Sequence, residues 1–147
     1  MKKKIIGILV VLSVLLSFAP AIAGDGSAVL QAAEEMYGVK QNYYCWLPLV
    51  PRWSQYKWDS VLILSNFTSS DNFISIMITS YDKSTRTFYE TLGPFEKKAY
   101  GLSYFGYQGD VLTDMWITSN TIFAAAALLM DINTGEVQAT LPWFSNL

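Results

Sequence analysis

Carboxylates are the side chains of this 147-residue chain best equipped for acid–base chemistry near neutral pH, because it has no histidine and a single cysteine. The missing histidine removes the commonest general base, the Ser-His-Asp triad and most zinc sites. A glycosidase would need two carboxyl groups facing each other across a cleft. Asp59, Asp71, Asp82, Asp110, Asp114 and Asp131 fall mostly in turn-like stretches, where aspartate is expected to bond the local backbone. Loop carboxylates around Asp110 and Asp114 lack the dense Asp/Asn spacing of a calcium loop. No glycine-rich phosphate loop and no metal-ligand spacing is present, so the sequence calls for no cofactor or metal. The expectation is a protein that binds rather than catalyses.

Binding chemistry has more to work with. Tyr43, Tyr44, Trp46, Trp53, Tyr56 and Trp58 crowd into sixteen residues, and Trp143 lies near the end of the chain. Flat rings stack on sugar faces and apolar ligands, and their N–H and O–H groups fix orientation. Residues 51–57 read as a loop, and loops on rigid scaffolds carry function. That makes Trp53 and Tyr56 the candidate stacking residues, supported by Arg52 or Gln55, and both Trp53→Ala and Tyr56→Ala are expected to abolish binding. Trp46, Trp58 and Trp116 are expected to plug the core, with Trp143 sealing its base. Tyr100, Leu102, Tyr104 and Tyr107 form a second aromatic patch, in which alternation would put the first three on one face.

The elements that must position these residues begin after a leader. Lys2, Lys3 and Lys4 precede an apolar run over residues 5–18, and Ala21-Ile22-Ala23 supplies the small residues read by a signal peptidase. The run falls short of the ~20 residues that a membrane span needs. The expectation is a secreted or periplasmic protein cleaved after Ala23, with no stable membrane insertion afterwards. Taking 23 residues from 147 leaves 124, with seven basic and twelve acidic side chains and a formal charge of −5. An acidic exported chain is a poor partner for nucleic acid, which demands basic patches. Cys45, alone and set among aromatics, reads as a small buried hydrophobe, with intermolecular pairing as the alternative.

Residues 24–42 form a short helix or a linker, capped by Asp25 or Ser27 and ended by Gly38. From residue 43 onward, strand-like runs recur at roughly ten-residue spacing. They cover residues 44–49, 58–65, 73–81, 86–92, 97–105, 112–118, 122–130 and 136–141. Ile74, Ile76 and Ile78 share one face of the third run. The alanines at 124–127 also suit a helix, but the turn residues on both sides favour a strand. About seven or eight strands over residues 43–147 argue for an all-β antiparallel sandwich, with a small closed barrel as the alternative. The runs at 61–64 and 123–129 are apolar on both faces, whereas a free-standing sandwich shows water one polar face. The N-terminal segment, a loop or another copy or protein must therefore cover the extra face. Asn66-Phe67-Thr68 matches a glycosylation acceptor in form.

The order of these runs carries a resemblance. Trp46-Leu47-Pro48 is followed by a tryptophan-bearing loop, Val61-Leu62-Ile63-Leu64-Ser65-Asn66, Tyr81-Asp82, Leu92-Gly93-Pro94 and Trp116-Ile117-Thr118-Ser119. Over about residues 44–143 this resembles exported bacterial immunoglobulin-like β-sandwich modules and is more distantly similar to the β-sandwich of sensory rhodopsin transducer proteins. The resemblance implies the fold and a non-catalytic, extracytoplasmic binding role, and it brings no catalytic motif. The Asp-x-x-Gly hairpin of the pattern departs here, since Thr85 replaces the glycine.

Overall fold

The computed structural model describes residues 27–141 together with 144 and 145. Within them lie one α-helix and nine strands in two antiparallel sheets, an all-β sandwich. Helix α1 (Ser27–Tyr37) precedes β1 (Tyr43–Arg52), β2 (Trp58–Asn66), β3 (Asn72–Ser80), β4 (Thr85–Leu92) and β5 (Lys97–Gly101). Then come β6 (Val111–Ser119), β7 (Phe123–Asp131), β8 (Val137–Thr140) and the two-residue β9 (Phe144–Ser145). One sheet runs β4-β3-β6-β1-β9 and the other β5-β2-β7-β8. The leader, Asp25 and Trp143 lie outside the described residues.

Alternation builds the core. Ile74, Ile76 and Ile78 of β3 are fully buried and face Leu62 and Leu64 of β2, with Met115, Ile117, Phe123 and Ala127 beside them. Residues 123–131 are strand throughout, paired along all of β2 from Asn66↔Phe123 to Trp58↔Asp131. Their alanines lie at strand positions because the flanking turns stop a helix before it gains enough turns to be stable. Cys45 is buried in the core, and desolvation pushes its thiol up to about 12.

Several expectations need correction. The first strand continues past Pro48 and Pro51 to Arg52, with a bulge between Leu47 and Val50. Among the described residues, strand β9 borders β1 at Cys45 and Trp46. Among the described residues no strand borders the far side of β1 beyond that point, and a missing N–H on such an edge breaks no ladder. Trp46 and Trp116 do not plug the core. They alternate with Cys45, Leu47, Met115 and Ile117, so they point outward, stacked at 5.6 Å and 15° on the outer face of the five-stranded sheet. Trp58, by contrast, packs against the core. Strand β5 stops at Gly101, so Tyr100, Leu102 and Tyr104 share no face: the first two are buried, and Tyr104 is exposed. In the β3–β4 hairpin Lys83 takes the positive φ, 68°, and Thr85 already begins β4, so no glycine is needed there.

Helix α1 ends where Gly38, at φ 66°, donates to the carbonyl of Glu34 at 2.8 Å. It lies against β3 and β6 of the five-stranded sheet. Tyr37 pins it there, its hydroxyl 2.7 Å from the Ile74 carbonyl and 3.0 Å from that of Glu90. Burial pushes that hydroxyl up to about 12. The N-terminal segment therefore covers the outer face of one sheet. The doubly apolar strands β2 and β7 belong to the other. No helix among the described residues is long and apolar enough to cross a membrane.

Candidate functional site

The chain direction gathers four connections, β1–β2, β3–β4, β5–β6 and β7–β8, at one end of the sandwich. Three of them surround an open cleft of about 750 Å³. Leu49, Val111 and Leu112 lie at its base, Trp53 and Tyr81 contribute aromatic walls, and Tyr107 and Gln108 come from the β5–β6 loop.

Each wall is fixed by local structure. Trp53 and Trp58 exchange backbone hydrogen bonds of 2.9 and 3.1 Å, closing a tight hairpin that crosses between the sheets. Inside it, Ser54–Tyr56 form a 3-10 turn and Lys57 adopts φ 57°. This segment is thus an ordered turn rather than a seven-residue loop. The indole of Trp53 is half-buried against the core, 5.9 Å from that of Trp58. Asp110 Oδ1 accepts from the backbone N–H and hydroxyl of Ser54 at 2.7 and 2.6 Å, tying the β5–β6 loop to this turn. That contact joins residues 56 apart and has no local sequence signature.

The β3–β4 turn is braced in the same manner. Asp82 Oδ1 accepts from the Ser80 hydroxyl at 2.7 Å and from the Ser84 N–H at 2.9 Å. The Ser80 hydroxyl, with Ser84, holds the Asp82 carboxyl down to about 2, and Ser54 lowers that of Asp110. Arg86 lies with its guanidinium carbon 5.0 Å from the Tyr107 ring centre and donates to the Phe105 carbonyl at 3.3 Å. Gly106, at φ 84°, makes room for it: a Cβ there would stand 2.8 Å from Arg86 Nη1.

Of the four residues singled out in the sequence, Trp53 alone lines this cleft. Tyr56 and Gln55 are exposed on the 3-10 turn, and Tyr56 packs at 5.7 Å on Trp58. Arg52 is buried and ion-paired with Asp59, and it is not among the residues lining the cleft. Sequence reasoning passed over Arg86, Tyr81 and Gln108, although it placed the turns that carry two of them. Asp114 also departs from expectation. It sits within β6, 2% exposed, and burial raises its carboxyl to about 6 against the lowering influence of Trp46. It does not line the cleft. Among the described residues no group of three His, Cys, Asp or Glu side chains is placed to hold a metal ion.

No protein-family model matches the chain, and no curated protein matches it. It is similar to the crystal structure of Thermotoga maritima 1070, with a TM-score of 0.53 and 12% identity over 70% of this chain and 89% of that one. That likeness shows the fold alone.

Proposed function

We propose that the chain is an exported, non-catalytic binding module of the immunoglobulin-like sort that recognises carbohydrate in the end cleft. The observation that carries this reading is Trp53, an indole held half-buried at the wall of a cleft of about 750 Å³. That volume falls in the range of small-ligand sites. Aromatic faces stack on sugar C–H surfaces, while anchored carboxylates and the Gln108 amide present fixed partners for hydroxyls. The acid–base inventory argues against catalysis. A glycosidase needs a carboxyl group held protonated near neutral pH, whereas Asp82 and Asp110 are both pushed the other way. Asp114, the carboxyl that is pushed up, is buried in a strand.

The test is a glycan panel screened against the mature chain and its Trp53→Ala variant. Trp53→Ala should lower affinity at least about tenfold, the worth of one stacking ring. Tyr56 is not among the residues lining the cleft, and Tyr56→Ala should change affinity by no more than about twofold. A folded Trp53→Ala protein that binds like the parent would overturn the assignment.

A second reading, a structural subunit of a homo-oligomer or surface assembly, rests on the outer face of the four-stranded sheet. Val61, Ile63, Ala124, Ala126 and Leu128 form adjoining half-buried rows there, as the β2–β7 register requires. Sedimentation at high concentration separates the readings, since a clean monomer removes the support for assembly.

A further inference from the structure

The charge of the cleft narrows its ligand. Among the described residues lining it, Asp82 and Asp110 are the carboxylates and Arg86 the cation. Arg86 is exposed, and its guanidinium rests on the Tyr107 ring and donates to the Phe105 carbonyl. The two aspartates reach the cleft from different connections, each anchored through Oδ1 by a serine. Anchoring fixes the orientation of each carboxylate and leaves its second oxygen to accept from a ligand. Tyr107 adds an independent sign of an unfilled partner. It is 8% exposed, its hydroxyl has no hydrogen-bond partner of good geometry, and Ser80 and Asp82 are its polar neighbours.

Resting on the binding-module reading, we propose that the cleft selects an amine-bearing sugar, its ring on Trp53 and its ammonium group beside Asp82 and Asp110. An ammonium ion is attracted both to fixed carboxylates and to aromatic faces. A sugar carrying a carboxylate or sulfate meets two like charges and one guanidinium already held on the Tyr107 ring and the Phe105 carbonyl. The net acidity of the chain acts in the same direction. The flat indole wall favours a sugar ring over the extended stem of a lysine, so a basic peptide is the competing ligand.

The experiment is calorimetric titration at about pH 5.5, where amines are protonated and ordinary carboxylates ionised. The probes are tetramers of glucosamine, glucose and a hexuronic acid, with tetralysine as the peptide arm. The glucosamine tetramer should bind tightest. Asp82→Asn and Asp110→Asn should each remove about two- to fivefold of its advantage over the glucose tetramer, the worth of one solvated ion pair. About 0.5 M salt should shrink the same advantage in the unmodified protein, which tests the charge without touching either turn. Equal affinity for the glucosamine and glucose tetramers, or tightest binding of the uronate, would overturn the amine selection and leave the binding module standing. Tighter binding of tetralysine would overturn the sugar. Failure of every probe to bind, with the chain folded, would sink both this proposal and the module reading beneath it.

Discussion

Replacing Asp114 with asparagine should stabilise the protein at neutral pH, against the usual effect of altering a buried, hydrogen-bonded residue. Asp114 is 2% exposed in the middle of a sheet, its Oδ1 has no hydrogen-bond partner, and desolvation outweighs the help of the Trp46 indole. Its carboxyl rises from 3.8 to about 6, and at about 1.4 kcal/mol per pH unit, ionising it costs the folded state on the order of 3 kcal/mol. The sign follows from proton counting. Between pH 4 and 6 the native state binds the proton and the unfolded chain has lost it, so stability falls as pH rises through that window. Asparagine cannot ionise, keeps a polar amide and nearly preserves the volume. Urea denaturation at pH 4, 5, 6 and 7 should show the parent losing on the order of 2–3 kcal/mol across the series and Asp114→Asn losing little. At pH 7 the variant should be the more stable by a similar amount. Asp82 and Asp110 act outside this window, because their lowered carboxyls give stability that disappears only as pH falls below about 4. Parallel pH profiles for parent and variant, or a variant clearly less stable at pH 7, would refute the reasoning.

Other perturbations test the packing. Asn66 is 2% exposed; its side-chain nitrogen donates to the carbonyls of Ser70 at 2.7 Å and Gly93 at 2.9 Å, and its oxygen accepts from Thr68. Asn66→Ala should therefore cost about 2–4 kcal/mol in chemical denaturation, and the folded chain should carry no glycan at this position in a glycosylating host. Arg52→Ala leaves Asp59 buried without its cation and should cost about 3–5 kcal/mol, while Arg52→Lys, which keeps a cation there, should lose less. Cys45, raised to about 12 by burial, holds almost no thiolate at neutral pH and should resist a thiol reagent until denaturant unfolds the chain. Fast labelling of the native protein would contradict its place in the core.

The sequence by itself determined where the strands run. Period-two apolar alternation and turn residues are local properties, and they placed eight strands within a few residues of their observed positions, down to the shared inward face of Ile74, Ile76 and Ile78. Local chemistry also identified Gly38 as the end of the helix and Cys45 as a core residue. The tertiary structure decided which neighbour each strand face would meet. Trp46 and Trp116 carry as much apolar area as any core residue, yet their parity in β1 and β6 sends them outward. Arg52 reads as a loop cation until the β1–β2 hairpin brings Asp59 opposite it and buries both. The cleft is the clearest case. Trp53, Asp82, Arg86, Tyr107 and Asp110 are scattered over nearly sixty residues and meet because parallel-running β1 and β3 end beside the start of β6. Strand pairing between distant segments sets that meeting. Trp53, an aromatic that stands out in the sequence, reaches the wall of the cleft through contacts no local pattern encodes.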